Sequence, residues 1–254
     1  MRIKAIARSL PLALAIALAA APAAADEAQL AVAANFAGPV KQLADRFTQT
    51  TQHKLSISVG STGKFYAQVK NGAPFDVFLS ADDETPLRME KEKLAVAGTR
   101  FTYAIGKLVL WSPSPGVVNG KGEVLRKTEF KRLAIANPKL APYGAAAQQT
   151  LEKLGVWQAV QGKLVMGENI AQTLQFVATG NAELGFVALS QIQEGGKPPA
   201  GSHWLVPQSL YDPIRQDAVL LARGGSNPAA RLFLDFLRSA PARELVRSSG
   251  YDLP

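Results

Sequence analysis

The feature that most constrains the fold of this chain is a recurring order of strand, small polar turn and helix. The apolar run Leu55–Val59 leads into Gly60-Ser61-Thr62-Gly63, and a segment with helical spacing follows at once. N–H groups at the start of such a helix lack intrahelical acceptors and lie at the positive end of its dipole. Glycines allow close approach of a ligand, and Ser61 and Thr62 add neutral donors. The turn therefore suits an anion, although an ordinary helix cap fits the same residues.

Three further turns of the same kind are expected. The strand at 29–33 ends at Ala34 and Asn35, and residues with the spacing of an amphipathic helix follow. In the second half, helices are expected to open near Tyr143 and Ile170, each behind a short apolar strand. Strands that alternate with helices predict a mostly parallel sheet flanked by helices. Ligands of such sheets bind at the carboxyl ends of the strands, where these turns lie.

We expect an α/β fold with two lobes and the ligand in the cleft between them. The extended run 101–111 is long enough to cross between lobes, and a return strand is expected at 214–221. The predicted division is lobe I at 26–105 and 213–254, and lobe II at 106–212. Two crossing segments near Ile105 and Tyr211 would form a hinge about which the lobes close.

The first 25 residues are predicted to be a signal peptide. Arg2, Lys4 and Arg8 form a charged start, residues 10–21 are apolar, and small residues precede a cleavage site after Ala25. A retained membrane anchor is the alternative, but the run is short and broken by proline. Export to the periplasm is therefore expected, and the formal charge falls from +8 to +5 when the three cations leave.

Composition narrows the function classes. The chain has no Cys, which excludes disulfides, thiolate metal sites and cysteine nucleophiles. Its two histidines, His53 and His203, are far apart in sequence, so a transition-metal site is not expected. The basic residues are spread out without interleaved aromatic residues, so a nucleic-acid partner is not expected either.

Signs of catalysis are weak. Asp76, Asp82, Asp83 and Glu84 cluster near a strand end, where capping and surface roles are favoured over acid–base chemistry. No Gly-x-Ser-x-Gly motif is present, and residues 60–64 have the wrong spacing for a nucleotide-binding loop. Lys64 is expected to face solvent. An exported enzyme acting on an anionic substrate stays open as an alternative from another class.

Taken together, these segments resemble the periplasmic molybdate-binding proteins of molybdate ABC importers. The resemblance covers essentially the whole mature chain, and the stretches 71–82 and 137–144 are its most specific parts. It implies the two-lobed type II periplasmic-binding-protein fold, a monomer without cofactor, and delivery of molybdate or tungstate to a membrane permease. Molybdenum would be held only as the oxyanion. The motifs that carry the resemblance are Ala33-Ala34-Asn35-Phe36, Gly60-Ser61-Thr62-Gly63, Tyr66-Ala67-Gln68, Asn71-Gly72-Ala73-Pro74 through Asp82, Ala134-Ile135-Ala136-Asn137-Pro138, Ala141-Pro142-Tyr143-Gly144 and Leu184-Gly185-Phe186-Val187-Ala188-Leu189.

The resemblance also implies a set of neutral ligand donors. Many relatives carry Ser at the positions of Asn35 and Thr62, and a ligand-binding Tyr at the position of Ala188. Tyr143 is therefore a candidate to supply the missing phenol from the other side of the site. The predicted oxyanion-binding residues are Ala34, Asn35, Ser61, Thr62, Tyr143 and, through its backbone N–H, Ile170.

Donors without a counter-charge would also select among anions. A buried dianion needs several hydrogen bonds to offset its lost hydration. Hydrogen phosphate would set its own O–H against a donor, which leaves a buried group unpaired at a cost of about 1–3 kcal/mol. Molybdate, tungstate and sulfate avoid that cost. A sulfate-binding protein of the same fold therefore stays open as an alternative, to be decided by cavity size.

Overall fold

A computed structural model describes residues 26–193 and 200–254 of the chain. The predicted signal peptide, residues 1–25, lies outside the described residues. Among the described residues, no helix combines the length and the apolar character needed to cross a bilayer.

The first five-stranded sheet has the order β2-β1-β3-β10-β4. Strands β1, β2 and β3 are mutually parallel, and β10 runs antiparallel to both β3 and β4. The elements that build this sheet and its helices are β1 (Glu27–Ala33), α1 (Ala37–Thr51), β2 (Lys54–Gly60), α2 (Thr62–Lys70), β3 (Val77–Leu79), α3 (Glu84–Lys91), β4 (Phe101–Gly106), β10 (Ile214–Leu220), α9 (Pro228–Arg238) and α10 (Ala240–Ser248).

The second five-stranded sheet has the order β7-β6-β8-β5-β9. Strand β6 is parallel to β7 and β8, whereas β5 is antiparallel to β8 and β9. It therefore repeats the pairing pattern of the first sheet. Its elements are β5 (Leu108–Ser112), α4 (Val124–Lys127), β6 (Leu133–Ala136), α5 (Pro142–Lys153), α6 (Trp157–Val160), β7 (Leu164–Gly167), α7 (Ile170–Ala178), β8 (Leu184–Ala188), α8 (Leu189–Ile192) and β9 (Ser202–Leu205).

Helical periodicity explains how these helices cover the sheets. In α1, Val40, Leu43 and Phe47 are fully buried against the first sheet, as their spacing of three and four residues predicts. Phe47 also contacts Phe233 of α9 edge to face, with ring centroids 5.5 Å apart. Separate apolar clusters on the two faces of each sheet hold the helices in place.

The chain changes sheets at Lys107. The predicted run 101–111 consists of two strands, because β4 pairs with β10 in the first sheet and β5 pairs with β8 in the second. After β9 the chain returns to the first sheet as β10, close to the predicted return strand. The two helix-flanked sheets confirm the predicted α/β periplasmic-binding-protein fold.

Candidate functional site

A small cavity lies between the two sheets. It is bounded by the carboxyl ends of β1 and β2 on one side and by the first residues of α5 and α7 on the other. All six predicted oxyanion-binding residues border it, and none of the lining residues is charged. The lining consists of Ala33, Ala34, Asn35, Gly60, Ser61, Thr62, Ala81, Ala141, Pro142, Tyr143, Asn169 and Ile170.

The most informative side chain is that of Ser61. It immediately precedes α2, yet its hydroxyl makes no helix-capping hydrogen bond. Ser61 is only 2% exposed, and across residues 26–193 and 200–254 its Oγ is the one buried side-chain polar atom without a partner. Such an unpaired group costs about 1–3 kcal/mol. An acceptor atom in the cavity would remove that cost.

Thr62 has a different role from its neighbour. Its Oγ1 accepts the Ala81 N–H at 3.1 Å and lies 3.4 Å from Ser80 Oγ. The hydroxyl therefore ties the start of α2 to the end of β3. The backbone N–H of Thr62 is available to a ligand, because it lies at the first position of the helix, where no intrahelical acceptor exists.

The side chain of Asn35 anchors its own turn. Its Nδ2 donates to Gln216 Oε1 at 2.7 Å and to the Tyr251 hydroxyl at 3.0 Å, which uses both amide hydrogens. The Asn35 carbonyl accepts from Ser190 Oγ at 3.0 Å and from the Tyr251 hydroxyl at 2.8 Å. The short 3-10 turn Ala34–Phe36 therefore meets the cavity with fixed backbone rather than with a free amide side chain.

Tyr143 directs its phenol away from the cavity. Its hydroxyl accepts a hydrogen bond from Gln216 Nε2 at 3.1 Å. A Cβ on Gly106 would lie only 2.1 Å from that oxygen, and neither Gly106 nor Gln216 borders the cavity. Burial raises the pKa of Tyr143 well above its ordinary value, so the phenol stays neutral. Tyr143 therefore reaches the cavity with the first turn of α5.

Ile170 is the first residue of α7, behind Asn169. The Asn169 Oδ1 accepts the N–H groups of Ala171 and Gln172, both at 3.0 Å, and so caps the helix. In the part of the chain that the structure describes, no acceptor outside the helices takes the N–H of Tyr143 or Ile170. Two helix starts from the second sheet thus offer backbone donors to the cavity that faces α2.

Two contacts join the sheets next to the cavity. The Gly63 N–H of α2 donates to the Leu140 carbonyl at 3.0 Å. Beside it, Lys64 Nζ and Glu168 Oε2 form an ion pair of 2.5 Å across the cleft. Lys64 is half-exposed, but its ammonium is directed at Glu168 rather than at the cavity.

The acidic residues have structural partners. Asp76 Oδ2 accepts the Gln29 N–H at 2.8 Å, and Asp76 Oδ1 pairs with Arg223 at 3.1 Å. Asp82 accepts the Thr85 N–H at 2.9 Å at the start of α3, and burial raises its carboxyl pKa. Neither carboxylate borders the cavity. The described residues contain no group of three His, Cys, Asp or Glu side chains placed to hold a metal ion.

Sequence reasoning missed Gln216, which contacts both Asn35 and Tyr143. The only local signal was that the strand β10 is apolar except for three residues: Arg215 and the pair Gln216 and Asp217. Both members of the pair are fully buried.

Comparison with known proteins gives a consistent result. The family of bacterial extracellular solute-binding proteins matches residues 28–252. The molybdate-binding protein ModA of Azotobacter vinelandii is 59% identical over 229 residues, covering 90% of this chain and 91% of that protein. The molybdate-binding protein ModA of Rhodobacter capsulatus is 51% identical over 230 residues, covering 90% and 89%. Among solved structures, the periplasmic molybdate-binding protein of Azotobacter vinelandii matches with a TM-score of 0.87 at 41% identity, covering 89% of this chain and 99% of that one.

Proposed function

Because this chain belongs to the family of bacterial extracellular solute-binding proteins, we propose that it captures molybdate, and also tungstate, and delivers it to an ABC permease. Two relatives more than half identical carry the name molybdate-binding protein. We expect the protein to act in the periplasm as a monomer without a cofactor, after loss of residues 1–25. We also propose lobe I at 26–105 and 213–254, and lobe II at 106–212, a division consistent with the strands of each sheet.

The observation that carries this proposal is the unpartnered Ser61 hydroxyl in a cavity without charged lining residues. A dianion oxygen would accept from Ser61 and from the helix-start N–H groups of Thr62, Tyr143 and Ile170. The three N–H groups can only donate, so a hydroxyl hydrogen on the ligand would find no acceptor among them. The cavity therefore suits molybdate, tungstate or sulfate better than hydrogen phosphate.

Calorimetric titration with molybdate, tungstate, sulfate and phosphate tests the proposal. We expect tight binding of molybdate and tungstate, weaker binding of sulfate, and the weakest binding of phosphate. Tight sulfate binding without molybdate binding would instead establish the sulfate-binding alternative.

Ser61→Ala tests the donor set directly. Loss of one hydrogen bond to a charged acceptor is worth about 1.5–3 kcal/mol, so molybdate affinity should fall about tenfold to a hundredfold. Ser58→Ala on β2, the strand that leads to Ser61, is the control, because Ser58 does not border the cavity. Equal affinity of the Ser61 variant and the wild type would remove Ser61 from the site.

A further inference from the structure

A second polar cluster lies next to the cavity, around Gln216 on β10. Gln216 is fully buried and does not itself border the cavity. Its Oε1 accepts from Asn35 Nδ2 at 2.7 Å, and its Nε2 donates to the Tyr143 hydroxyl at 3.1 Å. Asn35 follows β1 of the first sheet, whereas Tyr143 opens α5 on the second. One side chain therefore connects two cavity walls that belong to different sheets.

The backbone around Gln216 is adapted to this position. The pairing of β10 with β4 shifts register between Gln216 and Asp217, and both side chains are fully buried. Consecutive side chains of a strand point to opposite faces, and apolar clusters pack both faces of this sheet. Asp217 has its own partners, since it pairs with Arg100 and accepts from Thr102 Oγ1 at 2.7 Å. Gln216 Oε1 also accepts from the Tyr103 hydroxyl of β4 at 3.1 Å, so the side chain is anchored in the first sheet while it contacts Asn35 and Tyr143.

Gly106 supplies the space that this cluster needs. A Cβ at Gly106 would lie 2.7 Å from Gln216 Nε2 and 2.1 Å from the Tyr143 hydroxyl. Gly106 is the last residue of β4, next to the point where the chain changes sheets. The cluster therefore joins the two walls at the crossing between the sheets, where a small displacement would alter their separation.

Gln216 acts on the cavity through backbone positions. The link to Asn35 helps to fix the turn Ala34–Phe36, and the link to Tyr143 fixes the first turn of α5. Both partners border the cavity while the Asn35 amide nitrogen and the Tyr143 hydroxyl are bonded to Gln216. The length of the Asn35–Gln216–Tyr143 connection therefore bears on the width of the cavity.

We propose that Gln216 is a positioning residue that sets the distance between the turn at Asn35 and the start of α5, and thereby the size of the oxyanion that is accepted. This inference rests on the proposed function. Molybdate and tungstate are larger tetrahedral ions than sulfate, so a fixed width discriminates between them. A cavity whose walls can shift would lose that discrimination.

The test measures the ratio of molybdate affinity to sulfate affinity, with sulfate titrated in competition against molybdate. In Gln216→Leu, we expect molybdate affinity to fall about tenfold, the effect of one lost hydrogen bond, with a much smaller loss for sulfate. Tyr143→Phe removes the acceptor of the same link and should lower the ratio in the same direction. The double variant should be no weaker than Gln216→Leu, because both changes break one connection.

Gln148→Leu is the control, since Gln148 also lies on α5 but bonds Glu152 at the surface. Circular dichroism of the ligand-free variants checks folding. If Gln216→Leu does not fold, Tyr143→Phe alone decides, and an unchanged ratio in that variant overturns the inference. An unchanged ratio in folded Gln216→Leu, or fully additive losses in the double variant, overturns it as well. Wild-type protein that binds neither ion would instead refute the proposed function.

Discussion

Gly63→Ala is the sharpest test of whether contact between the two sheets contributes to affinity. Gly63 is the second residue of α2, and its N–H donates to the Leu140 carbonyl across the cleft at 3.0 Å. A Cβ at this position would lie 3.2 Å from Leu140 Cα and 3.3 Å from the Leu140 carbonyl oxygen. Because these are backbone atoms, the two segments must separate by a few tenths of an ångström to admit the methyl group.

The expected loss can be worked from those contacts. Weakening one backbone hydrogen bond removes about 0.5–1.5 kcal/mol. The steric conflict adds about 1 kcal/mol. The closed, ligand-bound form should therefore lose about 1–3 kcal/mol, which corresponds to roughly five- to hundredfold weaker molybdate binding. Alanine is a better helix residue than glycine by about 1 kcal/mol, so the ligand-free form should not lose stability.

Calorimetry measures the molybdate affinity of the variant, and thermal unfolding measures the stability of its ligand-free form. Affinity should fall while the melting temperature of the ligand-free protein stays equal or rises. Gly162→Ala is the matched control: Gly162 is also the second residue of a helical turn, and no atom lies within 4 Å of its added Cβ. Equal molybdate affinity of the Gly63→Ala variant and the wild type would refute this prediction. So would a loss of ligand-free stability that accounts for the whole effect.

Two further predictions concern Lys64, which lies beside the cavity, and Asp82 of the acidic cluster. Lys64→Ala should weaken molybdate binding by less than about fivefold, because exposed ion pairs are worth about 0–1 kcal/mol, and high salt should abolish the difference from wild type in titrations. Asp82→Asn should leave affinity unchanged, whereas an enzyme that uses this carboxylate would lose activity. Since burial raises the carboxyl pKa of Asp82, its ionisation costs stability as the pH rises through that pKa. The melting temperature of Asp82→Asn, relative to that of the wild type, should therefore be higher at neutral pH than in acid.

The sequence predicted the positions of the four turns because the signals are local. Small polar residues directly behind apolar strands can be recognised within ten residues of chain. The roles of the side chains depend on distant partners and could not be recognised. Asn35 is held by Gln216 and Tyr251, which are 181 and 216 positions away. For the same reason, the free hydroxyl at Ser61 could not be told from the engaged one at Thr62.

Two elements of the fold lacked a usable signal. The helix Glu84–Lys91 has only Pro86 and Met89 buried, so its apolar periodicity is too sparse to recognise. The run 101–111 reads as one strand because β-pattern residues continue through it. Its division at Lys107 arises from pairing with two different sheets, which is a tertiary property.

The exchange of the chain between the sheets has a practical consequence. The first and the last described strands, β1 and β10, belong to the same sheet, and the whole second sheet is inserted between them. A surface tether or fusion at the carboxyl end would therefore load only one of the two sheets. Because the chain has no Cys, a pair of engineered thiols, one on each side of the cleft, would accept fluorophores at those sites alone. Energy transfer between the two fluorophores would then measure whether the sheets approach each other when molybdate is added.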